Sequence, residues 1–156
     1  LQLVNKTYDQ LYGFVPMSET EIQELANRYL PIIDPRFVKI IEKEGEVIAF
    51  VVAIPNLSKG IIKSRGYLFP LGIFQILIAS KKSKQLDLML GAVRRDFQGT
   101  GLEVVMGISL IESARKADFK HMETHLILEN NTKMRSEFER LKVPVYKRFR
   151  VFRKEL

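Results

Sequence analysis

The stretch Leu86–Ala117, LDLMLGAVRRDFQGTGLEVVMGISLIESARKA, constrains this chain more than any other, because its hydrophobic period changes once, across a pair of glycines. Leu86, Leu88 and Leu90 alternate with Asp87, Met89 and Gly91, the period-two pattern of a strand that Val93 closes. Beyond Gly101 the period is helical: Val104, Ile108 and Ile111 share one face, and Ser109, Glu112, Ser113 and Lys116 form the polar one. Between them lies RRDFQGTG. No proline occurs from Gln98 to Leu102, so each backbone N–H there can donate, and Gly99 and Gly101 allow positive φ or close approach of a ligand. A turn of this kind at a helix start is an anion cradle, since unpaired amides and the helix dipole point to the same place. Thr100 and Glu103 also have the spacing of a capping box. In that arrangement Glu103 accepts from the Thr100 amide and competes with an anion for it.

At 156 residues the chain is the size of one domain, which buries roughly 70% of its unfolded surface and so supports a real core. The composition is ordinary globular material. The absence of cysteine excludes disulfides, thiolate metal sites and a cysteine nucleophile, and fits the cytoplasm, the expected location. Apolar runs fall short of a membrane span and the start lacks a signal-peptide pattern, so no membrane partner is expected. Because the sequence opens on Leu1 rather than methionine, it is open to being the C-terminal part of a longer protein.

The net charge of +7 suits any anionic partner. The cations gather in Lys59–Arg65, Lys81–Lys84, Arg94-Arg95 and the terminal KRFRVFRK rather than along one groove-reading helix, and most are expected to form a solvated face, with Arg94 and Arg95 set apart. Nucleic acid is the disfavoured partner: the phenylalanines of KRFRVFRK could stack on bases, but they are expected to pack in a sheet.

Along the chain, Leu1–Val4 is expected as a short strand and Tyr8–Phe14 as a short helix or an aromatic connection. Ser18-Glu-Thr-Glu21 is a capping box, and Ile22, Leu25, Ala26 and Tyr29 continue a helix that Pro31 ends. Phe37–Ile41 and Val47–Ile54 flank Glu44-Gly45-Glu46 as a hairpin, the second arm apolar enough for a central strand. Leu57–Lys84 is broken by Pro70 and Gly72. Its second half, Ile73–Ser80, reads as a buried helical turn, a lid against a pocket, or half of a packed helical hairpin. His121–Leu128 is expected as a strand, Asn130–Leu141 as a helix and Val145–Arg153 as a last strand.

Val93, Arg94-Arg95-Asp96-Phe97 and Gln98-Gly99-Thr100-Gly101 together resemble the acyl-CoA pyrophosphate loop of the GCN5-related N-acetyltransferase (GNAT) superfamily, Q/R-x-x-G-x-G/A after a strand. Gln98 and Gly101 match; Glu103 stands where the family has Gly or Ala. The order of elements resembles the family over nearly the whole chain, and YxxLYGFVPM, IPN and LENNxKM resemble a bacterial subgroup of unknown substrate. The resemblance implies an α/β fold with a mixed, mostly antiparallel central sheet flanked by helices, forming a single acyl-CoA-binding domain over residues 1–156. It implies acetyl-CoA or another acyl-CoA as co-substrate and no metal, with a small-molecule or peptide amine as acceptor. Its phosphates would sit at Gln98, Gly99, Thr100, Gly101 and Leu102, and its pantetheine beside Met89, Gly91 and Val93. Asn131 would hold a pantetheine amide, or else cap its helix. The long Leu57–Lys84 connection, short in a generic family member, would shape the acceptor site.

Where the family often has a tyrosine that protonates the leaving thiolate, this chain has Phe138, which has no hydroxyl to donate. Tyr146 or water would then supply the proton. His121, Glu123, His125, Ile127 and Glu129 share one face by period two, and of these Glu129 and His125 are the candidate bases. His121 and His125 lack the H-E-x-x-H context of a zinc site. The competing expectation, drawn from Phe138 and Glu103, is a catalytically silent acyl-CoA-binding or interaction domain.

Overall fold

The computed structural model describes residues 1–30, 33–67 and 69–154, in two compact units, Leu1–His125 and the remainder from Leu126 onward. Pro31, the expected end of the second helix, lies outside the described residues.

Helix α1 (Gln2–Thr7) opens the first unit where a strand was expected. Four apolar-rich residues satisfy either period, and here tertiary packing decides: adjacent Leu3 and Val4 are both buried against the sheet, which a strand with one buried face does not permit. Tyr8–Phe14 is a run of turns, and α2 (Glu19–Tyr29) follows with the full capping box at Ser18 and Glu21. A short 3-10 turn over Pro35–Phe37 leads into the hairpin of β1 (Val38–Lys43) and β2 (Glu46–Pro55). Helices α3 (Ser58–Lys63) and α4 (Gly72–Lys82) form a helical hairpin. Then come β3 (Gln85–Val93), α5 (Leu102–Lys116) and β4 (His121–Thr124).

The sheet order is β1-β2-β3-β4, antiparallel at the first two interfaces and parallel between β3 and β4. This is the expected mixed, mostly antiparallel sheet. β2 is central and buried over most of its length, as its unbroken apolar run requires.

The two faces of the sheet carry separate cores. On one, α5 packs Met106, Leu110 and Ala114 against Ala49, Val51, Ala53, Leu86 and Val93, with Phe37 edge-on to Phe119 at 5.2 Å. On the other, Leu3 and Val4 of α1 cover Phe50 and Ala92, with Tyr8 and Phe14 alongside. The buried stripe of α5 is therefore not the expected Val104, Ile108 and Ile111, all of which are exposed, whereas Ser109 and Ser113 are half-buried. This helix has apolar residues on several faces, so periodicity alone does not choose among them. Met106, Leu110 and Ala114, spaced i, i+4, i+8, narrow toward Ala114 and let the helix lie close on the sheet.

Three further expectations are corrected. Ile73–Ser80 is helical, but Ile73, Phe74, Leu77 and Ile78 are exposed rather than buried. β4 stops at Thr124, and residues 125–128 are irregular. In the second unit, α6 (Thr132–Arg140) forms as expected, but residues 145–153 carry no strand, and Phe149, Val151 and Phe152 lie exposed instead of packing in a sheet. A period-two pattern needs a partner edge to become a strand, and four cations, Lys147, Arg148, Arg150 and Arg153, crowd this segment.

Candidate active site

β3 is paired with β2 along its whole length, but with β4 only from Gln85 to Leu88. From Met89 to Val93 its other edge has no strand beside it among the described residues. At Met89 the register against β2 slips: Val52 lies opposite Leu90 and Ala53 opposite Leu88, so Met89 is the extra residue of a bulge. After the bulge, the Arg94 amide donates to the Ile48 carbonyl at 2.7 Å, toward β2. By alternation, Gly91 and Val93 turn their backbone groups to the open edge. Two side chains confirm this direction. The Tyr8 hydroxyl donates to the Gly91 carbonyl at 2.6 Å, and Gln98 Nε2 donates to the Val93 carbonyl at 3.1 Å. The two carbonyls of this edge are thus capped from within the chain, and its amide groups at Gly91 and Val93 are the ones presented outward.

Tyr8, the first residue of YxxLYGFVPM, is the residue of this region that the sequence assigns no place at the site. Burial pushes its hydroxyl above the ordinary tyrosine range, so it is a protonated donor at neutral pH. A built Cβ on Gly91 meets only ordinary van der Waals contact with Phe50 and Val51. Crowding by β2 therefore does not require this glycine.

The strand runs through a 3-10 turn, Arg95–Phe97, into the glycine turn. Gly99 and Gly101 have φ of +75° and +92°, the left-handed region that favours glycine, with open space where a Cβ would stand. Gly101 is the N-cap of α5, with no side-chain cap. The helix's own ladder starts with the Val105 amide donating to the Gly101 carbonyl at 3.1 Å, so the amides of Leu102, Glu103 and Val104 precede it and point out of the helix end. Glu103 does not close the expected box with Thr100. Because the helix begins at Gly101, its carboxylate instead accepts from the Gly99 amide at 3.3 Å, while Thr100 Oγ1 donates to the Phe97 carbonyl at 2.7 Å.

Arg94 and Arg95, set apart from the solvated cations, are both engaged by carboxylates. Arg94 bonds Glu46 at 2.7 Å and Asp96 at 2.8 Å and stacks over Phe97, and Arg95 pairs with Asp9. The Arg94 guanidinium holds Asp96 below the usual carboxylate range. Lys43, whose Nζ lies 5.3 Å over the Phe97 ring, and the backbone amides are further sources of positive potential at this turn.

At the other end of the open edge stand two groups. His125 Nε2 lies 2.8 Å from Met89 Sδ, which places the imidazole at the bulge where β4 leaves β3. Asp87 is on the sheet face opposite Leu86 and Leu88, the face that carries α1. Its two oxygens accept from Asn56 Nδ2 at 2.7 Å and Gln85 Nε2 at 2.8 Å, and Glu123 is its register partner on β4. In the sequence Asp87 reads only as the polar phase of a strand. A carboxylate inside an otherwise apolar strand is the available signal.

Glu129, Asn131 and Tyr146 belong to the second unit. Asn131 caps α6, its side chain accepting from the Met134 amide at 3.3 Å. The Glu129 carboxylate faces Arg150 at 3.6 Å and its carbonyl accepts from Arg135; Tyr146 is exposed, with Lys147 over its ring. Among the described residues, no group of three or more metal-ligating side chains comes together.

No family model matches the chain. Two curated proteins align with nearly all of it: Protein YghO of Escherichia coli K12, 27% identical over 163 aligned positions, and Bacterial ceramide synthase of Caulobacter vibrioides, 29% identical. The alignments take in 99% of this chain and 41% and 42% of those proteins, so the chain spans about two fifths of the length of the curated relatives it matches. Among solved structures, an aminoglycoside 6'-N-acetyltransferase of Acinetobacter haemolyticus superposes with a TM-score of 0.62 at 13% identity, covering 100% of this chain and 90% of that one. The aminoglycoside acetyltransferase AAC(6')-Iy, in complex with a CoA-linked bisubstrate analogue, gives 0.60 at 13% identity over 99% and 91%. A possible acetyltransferase of Clostridium difficile gives 0.59 at 10% identity over 96% and 84%. With the β3 bulge, the open edge and the glycine turn before α5, these superpositions show that the chain has the GCN5-related N-acetyltransferase fold.

Proposed function

We propose that this domain transfers an acyl group from acyl-CoA to an amine. The observation that carries the reading is the continuity of one stretch: an unpaired strand edge presenting amides at Gly91 and Val93 runs directly into left-handed Gly99 and Gly101 and the free amides of Leu102, Glu103 and Val104. A diphosphate fits the second half, where amides and helix dipole act together, and an amide-bearing arm fits the first as an added strand. Superposition on an acetyltransferase carrying a CoA-linked analogue supports the same assignment.

Acyl-CoA supplies a thioester whose carbonyl carbon bonds to the amine nitrogen as the C–S bond breaks. The chain's residues then have three tasks. Outward amides near the Met89 bulge stabilise the oxyanion that develops on the carbonyl. His125 at the bulge, or Asp87 two residues up the strand, accepts the proton that the amine sheds. Tyr8, a protonated hydroxyl already on the Gly91 carbonyl, supplies a donor on this edge that Phe138 lacks, and passes a proton to the leaving sulfur. Glu129, Tyr146 and Asn131 remain candidates for base, acid and amide holder from the second unit.

The acceptor class draws on one relative. A ceramide contains a fatty acyl group in amide linkage, so the name Bacterial ceramide synthase supports an amine nucleophile and a long acyl chain. The competing reading, an acyl-CoA binder without turnover, is favoured by the Glu103 carboxylate on the Gly99 amide and by Phe138. Free-thiol release from acetyl-CoA and palmitoyl-CoA with a panel of amines, including long-chain amino alcohols, separates the two. The transfer reading expects amine-dependent thiol release that falls at least about tenfold in Asp87→Asn or His125→Gln with acyl-CoA binding retained. Binding with no release on any amine establishes the silent binder.

A further inference from the structure

Helix α4 is built inside out. Its positions at Ile73, Phe74, Leu77 and Ile78 recur at i, i+1, i+4, i+5 and form a single outer stripe, with Phe74 60% and Ile78 54% exposed. The inward face packs on α3 through Ile76 and Ala79, so closely that a Cβ on Gly60 would lie 2.6 Å from the Ile76 Cα. On that inward side sits Gln75, whose Oε1 is buried without a hydrogen-bond partner. A helix that turns an amide inward and two of its isoleucines, its leucine and its phenylalanine outward is not arranged to face water. The neighbouring Ile62 and Phe69, 75% and 79% exposed, and Tyr67 extend the apolar surface.

The hairpin's own charges have one sign. From Leu57 to Leu86 the sequence holds Lys59, Lys63, Arg65, Lys81, Lys82 and Lys84 and no aspartate or glutamate. Lys84 is paired with Asp118 at 2.5 Å. Lys81 lies on the same helical face as the stripe and Lys82 beside it. A C-terminal pair of lysines also suits the dipole of α4, and Lys63 and Arg65 suit that of α3, but the dipole does not account for Lys59 at the start of α3. A partner protein's apolar face would call for neither six cations nor the absence of every acid. An interface of acyl chains beneath anionic headgroups calls for both. The 11 residues of α4 extend about 16 Å, half a bilayer core, so the helix lies on such a surface rather than across it, and no described helix is long and apolar enough to cross.

We propose that the outer face of the α3–α4 hairpin docks the protein onto an anionic lipid bilayer, with Phe74 and Ile78 entering the acyl region and Lys63, Lys81 and Lys82 on the headgroups. This replaces the expectation of no membrane partner. The hairpin ends where β3 begins, at Gln85, and the glycine turn lies beyond Val93, roughly 26 Å along the strand at 3.3 Å per residue. Docking at one end leaves the other open to a water-soluble anion. The proposal stands whether or not the chain transfers an acyl group.

Flotation of the intact protein with vesicles of phosphatidylcholine alone, or mixed with phosphatidylglycerol, tests it. Binding is expected to the mixed vesicles and to weaken with salt. It should fall about tenfold or more in a Phe74→Glu, Ile78→Glu double variant and in a Lys63→Gln, Lys81→Gln, Lys82→Gln variant. All five positions are exposed, and an unchanged circular dichroism spectrum verifies that each variant folds. Failure of the intact protein to float with mixed vesicles overturns the proposal and leaves the face to protein elsewhere in the molecule or to a partner. So does flotation that is indifferent to the Phe74 and Ile78 changes, because the contact is then charge alone. Retained acyl-CoA binding in the double variant keeps this result separate from the fate of the transfer reading.

Discussion

Helices α4 and α5 are both rich in aliphatic residues, yet the structure uses them in opposite ways. α5 lays Met106, Leu110 and Ala114 on the sheet, and its N-terminus turns three free amides toward the end of β3. α4 contributes no residue to either core cluster; it packs on α3 and leaves its aliphatic stripe outside. The exposed residues of α5, Val104, Ile108 and Ile111, stand among charges of both signs on their own helix, Glu103, Glu112, Arg115 and Lys116, whereas α3 and α4 themselves carry only cations. What a helix contributes is decided less by its composition than by which stripe a neighbour claims and which charges border the remainder.

The largest effect that tests this contrast is in the α5 stripe. Leu110→Ala removes a side chain that is 1% exposed and should lower stability by about 2–5 kcal/mol in urea unfolding, while Phe74→Ala on α4 should change it by less than about 0.5 kcal/mol. Comparable losses at both would mean that the α4 stripe is buried. Next comes Gly101→Ala. Open space surrounds the position, so the expected loss of about 1–2 kcal/mol is conformational, from the φ of +92°. A neutral result would place the turn in another conformation.

Tyr8→Phe is smaller. It deletes one hydrogen bond and strands the Gly91 carbonyl, an expected loss of about 0.5–1.5 kcal/mol. Since burial raises the Tyr8 pKa in the folded state, its contribution is present below about pH 10 and disappears as pH rises through the folded value. An alkaline unfolding profile that is the same for the unaltered protein and the Tyr8→Phe variant would remove Tyr8 from the open edge. The smallest effect is at the α5–β4 connection, where Lys120 and Lys84 lower the Asp118 pKa to about 2. Because the folded value lies below the unfolded one, this contribution is complete above about pH 4 and is lost as pH falls through about 2. Asp118→Asn, which keeps the left-handed backbone tolerable, should therefore lower the urea midpoint slightly at about pH 6 and by much less near pH 2.

Much of this arrangement was legible in the residues. The β1–β2 hairpin, the capping box at Ser18, the strand ending at Val93 and the left-handed glycines each rest on local chemistry that only one conformation satisfies. The failures occurred where tertiary partners decide. Leu1–Val4 was too short to distinguish strand from helix; α5 had more apolar faces than the sheet could cover; residues 145–153 had strand spacing and no partner edge. For the site, the glycine turn announced itself through Gly99 and Gly101. Tyr8 stood at the head of YxxLYGFVPM, but its place at the site did not show, because an 83-residue separation from Gly91 leaves no pattern that pairs the two. Asp87 was in view, yet its significance came only when Asn56 and Gln85 were found oriented on it.

Calorimetric titration with acetyl-CoA tests the central claim, that the turn before α5 holds the phosphates of an acyl-CoA. The account predicts micromolar binding by the intact protein, its loss in Gly101→Asp, which sets a carboxylate at the free amides, and tighter binding in Glu103→Gln, which takes the competing charge off the Gly99 amide. No binding by the intact protein, or equal affinity in all three, would contradict it.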